Sequence, residues 1–153
     1  MPDPAPDSAG LAAVQAWCGW HVAPSLTETV KVEGQGSRLL LLDSLRVTAI
    51  TEVRNEAGDI VPSTTYKWRE NGIVRGWWAW EDLYSLDITH GYTNWPAELS
   101  AIINQIDADG VGSRLAASEN AGPFQRSFAA PNLESQPISV RSVIARYKLP
   151  PRP

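Results

Sequence analysis

Asn71-Gly72, set between the β-prone runs TTYKWRE and IVRGWW, limits most sharply what this chain can fold into. Such a pair predicts a tight hairpin, because both central residues of a type I′ turn need positive φ and few pairs tolerate it. A hairpin here commits the middle of the chain to antiparallel strands, and the neighbouring segments agree. TETVKVEG alternates, Gly34-Gln35-Gly36 offers a turn, and SRLLLLDS predicts a strand buried on both sides. LRVTAITEVRN alternates again, with Val47, Ala49, Thr51 and Val53 on one face. EAGD offers the next turn, and YSLDITHGY is the last strand. Residues 28–92 thus predict a small antiparallel β unit of five or six strands.

Helical spacing governs both flanks. Ser8 is placed to cap a helix ending at Cys18, with Gly19 as its stop. After Asn94 or Trp95 as cap, Leu99, Ile102, Ile103 and Ile106 recur at i, i+3, i+4, i+7, predicting a helix that continues weakly to about Ala117. ENAGPFQRSFAAPNLESQP predicts a loop with a short strand at Phe124–Phe128. Val140, Val143, Ile144 and Tyr147 repeat the helical spacing, and Pro150 ends that helix. The expected organisation is a flexible arm over 1–7 and a single domain over 8–150. Within it, 28–92 is a β subdomain and 94–149 is mainly helical, followed by a Pro-rich tail at 150–153.

Composition narrows the function. A chain of 153 residues can bury a real core without staples, and one cysteine forms no internal disulfide, which favours a reducing compartment. No apolar run reaches the roughly 20 residues that span a bilayer, and MPDPAPDSAG has neither the basic start nor the apolar stretch of a signal peptide. The net charge of −4 argues against a dedicated nucleic-acid binder. Charge is segregated, however: Arg141, Arg146, Lys148 and Arg152 follow Ile138 with no acidic residue among them. Such an end suits an acidic partner or a neighbouring copy, or else the negative end of a helix.

Candidate chemistry fails on spacing. In AWCGWH, Cys18 and His21 straddle a glycine at a helix C-terminus, where the partial negative charge raises a thiol pKa; Cys18 is expected to be a buried small hydrophobe. His90 lies in a distant strand, so no paired ligands announce a metal. DADGVGSRLAAS imitates a calcium loop at Asp107, Asp109 and Gly112, but Val111 and Ser118 stand where oxygen ligands are required. GQGSRL lacks the third glycine of a dinucleotide loop and leads into a strand. No catalytic residue, metal or cofactor is expected.

The tryptophans remain. Trp77 and Trp78 are consecutive in a predicted strand, so they cannot both face inward. Trp77, Trp78 and Trp80 therefore stand as candidate interface residues, with Arg141, Arg146, Tyr147, Lys148 and Arg152 as a second set. Two alternatives stay open: ordinary core packing, and a Trp-rich β surface that binds carbohydrate or peptide.

Several blocks together resemble a known family. AWCGWHVAPSLTETVKVEGQGSRLLLLDSLRVTAITEV, YKWRENGIVRG, LDITHGYTNWPAELSAIINQI, ENAGPFQRSF and the closing SVIARYKLP resemble head-to-tail adaptor (connector) proteins of long-tailed double-stranded DNA bacteriophages, especially those of actinobacterial hosts. The leading segment is shorter than in relatives that carry additional helical sequence there. The resemblance implies an α+β fold: a helical connector core of N-terminal, long central and C-terminal helices, with the small antiparallel β unit inserted. It implies a homo-oligomeric ring, usually a dodecamer of about twelve copies, in the virion neck. The implied partners are the portal protein and the next neck, stopper or tail protein, with DNA passing through the channel without sequence-specific binding. The chain would be made in the host bacterial cytoplasm and would have no membrane partner.

Overall fold

The computed structural model describes residues 8–117 and 132–151; side chains are described outside 111–117. The chain forms two compact units, one from Trp20 to Asn94 and the other from the segments before and after it. The expected arm at 1–7, the expected strand at Phe124–Phe128 and Arg152 lie outside the described residues.

The Trp20–Asn94 unit is built from β1 (Leu26–Glu33), β2 (Ser37–Leu41), β3 (Val47–Arg54), β4 (Tyr66–Trp68), β5 (Ile73–Trp80) and β6 (Leu83–His90). They form two three-stranded antiparallel sheets, ordered β1-β6-β3 and β2-β5-β4. Consecutive β1 and β2 do not pair. β1 lies on β6 and β2 on β5, so the chain passes from one sheet to the other at Gly34–Gly36 while β5–β6 does the same at Trp80–Asp82. Backbone bonds fasten this corner: Gly34 N–H donates to Asp82 O at 2.9 Å, and Gly36 N–H to Trp80 O at 2.7 Å. A Cβ on Gly34 would meet Trp80 O at 2.2 Å, so only glycine allows the strands to approach this closely.

Both sheets contribute to one apolar cluster: Leu40, Leu42, Val47, Val53, Tyr66, Val74, Trp80, Tyr84, Leu86 and Ile88, with Val30, Val32 and Ile50 packed against it. This corrects the expected helical connector core with a long central helix. The fold is α+β, with three helices and two three-stranded sheets among the described residues, and strands dominate its core. The reason lies in the helices' own burial. α2 (Ala97–Ala117) buries Leu99, Ser100, Ile102 and Ile103 near its start, whereas Ala108 to Gly110 are exposed.

Three strand expectations also change. The hairpin between β4 and β5 closes with Gly72 alone at positive φ, 79°, and Asn71 in an ordinary conformation. Gly72 N–H donates to Arg69 O at 3.0 Å and Arg69 N–H to Ile73 O at 2.9 Å, so the turn is centred on Glu70-Asn71 with glycine after it. The leucine run is buried on one face only, Leu40 inside and Leu39 45% exposed, because β2 ends at Leu41 as an edge strand of an antiparallel sheet. In β3 the register shifts between Val47 and Ala49 and again between Ile50 and Glu52, turning Ile50 toward the core and Thr51 out.

In the other unit, α1 (Ala9–Cys18) starts on the Ser8 hydroxyl, which accepts from Leu11 N–H, and closes at Gly19, whose N–H reaches Gln15 O. α2 starts at Ala97, with Pro96 O accepting from Ser100 N–H at 2.9 Å. Its Asp107, the first residue of the calcium-like run, accepts from Gly10 N–H at 2.7 Å, a carboxylate placed against the positive end of α1. α3 (Ile138–Tyr147) packs against α1 and α2 through buried Val140 and Ile144, and Leu149 N–H bonds Cys18 O beyond it. No described helix is long and apolar enough to cross a membrane.

Candidate interaction surface

Trp77, Trp78 and Trp80 take three different positions on β5. Trp80 is fully buried; its indole N–H donates to Arg38 O at 3.1 Å, and its ring meets Tyr84 edge-on at 4.7 Å between centroids. Trp78 is half-buried, 4.9 Å from Trp80. Trp77 is 67% exposed, and its indole N–H lies 3.3 Å from Thr64 O. Of the three, Trp77 is the most exposed; Trp80 is a core anchor.

The register shows what surrounds Trp77. Arg75 stands opposite Lys67 across the β4–β5 pair and opposite Leu39 across the β2–β5 pair, all three exposed. Like charges directly opposed are unfavourable in a sheet. Among the described residues neither cation makes an ion pair. Beside this face lies an open depression lined by Ile50, Ser63, Tyr66, Lys67 and Trp68.

The C-terminal candidates divide. Arg146 Nη2 donates to Glu98 Oε2 at 2.5 Å, and the Tyr147 hydroxyl to Glu98 Oε1 at 2.5 Å, so Glu98 ties the end of α3 to the first turn of α2. Arg141 and Lys148 are exposed and make no ion pair among the described residues. Replacing Glu98 with alanine is expected to cost the helical unit about 1–3 kcal/mol, because two hydrogen bonds to a charged group are lost. Thermal unfolding followed by circular dichroism checks this; an unchanged midpoint would show the clamp to be energetically idle.

Cys18 is fully buried at the end of α1, and burial pushes its thiol from the ordinary 9.0 up to about 11. At neutral pH it is therefore protonated and shielded. Between pH 9 and 11 the unfolded chain ionises this thiol while the folded chain does not, so its contribution to stability falls across that window. Iodoacetamide at pH 8 is expected to label Cys18 only as fast as the fold opens, far slower than in urea; rapid labelling of the native chain would contradict this burial.

The sequence reading missed one cluster. His21 and His90 come together edge-on, 5.8 Å between ring centroids, and Glu28 Oε1 lies 2.8 Å from His90 Nε2. Pairing of Leu26 with His90 across β1–β6 creates it, and no local spacing announces a partner 62 residues away. His21 Nε2 is already engaged with Pro24 O at 2.5 Å, and among the described residues no group of three or more His, Cys, Asp or Glu side chains is arranged to hold a metal ion. Comparison of the chain with protein-family models and with curated protein sequences finds no match.

Proposed function

We propose that the chain is a non-enzymatic structural protein of a tailed-phage virion: a ring-forming adaptor between the portal and the next neck or tail protein, around the DNA channel. The observation that carries this reading is Trp77, an interface-type side chain held in solvent on a sheet whose core is anchored three residues later by Trp80. The sequence blocks that resemble phage adaptors support it, as do exposed Arg141 and Lys148 at the C-terminal end. An acidic chain also suits a channel in which DNA must slide, since a strong hold on phosphates would arrest it.

The docking test follows from the divided tail. Arg141→Glu combined with Lys148→Glu removes exposed cations without touching the Glu98 clamp. This variant is expected to lose about tenfold or more in affinity for a portal protein from the same genome, with circular dichroism unchanged. Intact docking at low salt would reject a basic-end contact. The competing reading, a module for carbohydrate or peptide, is favoured by the depression beside Tyr66 and Trp68. Glycan or peptide binding by a chain that ignores the portal would select it.

A further inference from the structure

The outer face of the β2-β5-β4 sheet carries a charge problem that no ion pair among the described residues solves. Lys67 and Arg75 are paired across β4–β5 and exposed, with Leu39 on the other side of Arg75 and Trp77 two residues along the same strand. A cation pair of this kind raises the energy of the isolated sheet and falls in energy when anionic groups cover it. The exposed tryptophan and leucine beside it supply apolar area to the same contact.

The matching surface is in the same unit. Glu33 at the end of β1, and Glu81 and Asp82 between β5 and β6, are all exposed at the corner that Gly34 closes. Among the described residues none of the three makes an ion pair. The backbone bonds of Gly34 and Gly36 fix this corner, so its carboxylates are presented by a rigid support. Each molecule thus carries a basic, aromatic face and an acidic corner.

We propose that the Lys67–Arg75–Trp77 face is a docking site for a second copy of this chain, whose Glu33–Glu81–Asp82 corner supplies the missing anions. The contact deepens the reading of the chain as a protein that assembles with copies of itself, and it rests on that reading. Two different patches on one molecule let each copy give and receive at once, which is the requirement for head-to-tail growth. Nucleic acid is the other anion that could meet a basic, aromatic face; the acidic charge of the whole chain and the presence of a complementary corner favour the second copy.

Sedimentation velocity of the full chain over a concentration series, at low and high salt, tests this. Wild type is expected to associate, and raising the salt weakens the association. Lys67→Glu with Arg75→Glu, and separately Glu81→Lys with Asp82→Lys, should each weaken it by about tenfold or more, while the four changes together restore it. Circular dichroism of each variant verifies the fold. A wild-type chain that stays monomeric to millimolar concentration at low salt overturns the contact, as does association indifferent to both charge reversals. Binding of a DNA duplex that is lost in the face variant, with self-association intact, also overturns it. Portal binding measured on the same samples separates the two ideas. Portal capture without any self-association sinks the contact and leaves the adaptor reading standing; charge-dependent self-association without portal capture upholds the contact and sinks the adaptor reading.

Discussion

Trp80→Ala is expected to destabilise the Trp20–Asn94 unit by roughly 3–5 kcal/mol, the range for truncating a buried tryptophan. The indole is fully buried, meets Tyr84 at 4.7 Å and Trp78 at 4.9 Å, and donates to the Arg38 carbonyl of the neighbouring strand. Truncation leaves a cavity where both sheets contribute to the core and removes the donor that ties β5 to β2. Urea unfolding followed by circular dichroism reads the loss directly. Trp77→Ala is the matched control: the same chemistry, 67% exposed, with an expected stability change within about 0.5 kcal/mol. If both variants unfold at the same urea concentration, the division of the tryptophans into anchor and contact residue is wrong.

Gly34→Ala is the second large effect, and it arises from a single methyl group. The added carbon would sit 2.2 Å from Trp80 O, 2.3 Å from its carbonyl carbon and 2.9 Å from Glu81 N, all backbone atoms that no side-chain rotation can clear. The strands must separate, stretching the Gly34–Asp82 and Gly36–Trp80 bonds at the corner. Overpacking of this kind costs typically about 1–3 kcal/mol, and a wholly backbone clash places this variant at the upper end. Thermal unfolding is expected to show a clear drop for Gly34→Ala. Ala at Gly58, which has no atom within 4 Å of its added carbon, isolates the separate cost of a positive φ of 89°.

What could be read in the sequence was local. Alternation marked the segments of β1 and β3, the Asn71-Gly72 pair marked the β4–β5 hairpin, and the i, i+3, i+4, i+7 spacing marked α2 and α3, because those signals express local turn geometry and which side of an element is buried. Consecutive Trp77-Trp78 implied that one ring faces out, and the structure identifies Trp77. What the sequence concealed depended on partners far along the chain. Gly34-Gln35-Gly36 announces a bend, but the choice of β6 over β2 as the partner of β1 is made by side chains about 60 residues away. Register shifts in β3 follow from pairing with β6, so Ile50 and Thr51 exchange the faces that strict alternation assigns them. The expectation of a helical core came from the resemblance and not from the residues, and it failed because strands dominate the buried core. At the C-terminus a run of cations without acids reads as one basic surface, until Glu98, 48 residues from Arg146, withdraws Arg146 and leaves Arg141 and Lys148 outside.

Cys18 and the two histidines carry the most reactive side-chain types here. The thiol is enclosed and hard to ionise, and His90 is occupied with Glu28. The groups left exposed, Trp77 with Lys67 and Arg75, and Arg141 with Lys148, are suited to contact with other macromolecules. The backbone bonds at the Gly34 corner fasten the β1–β2 connection to the β5–β6 connection.

Negative-stain electron microscopy of the purified chain mixed with a portal protein from the genome that encodes it tests the central claim most directly. The account predicts closed rings of this chain seated on one end of the portal, and bare portal particles when this chain is replaced by an unrelated protein. Portal particles that remain bare at saturating concentrations of the chain would contradict it.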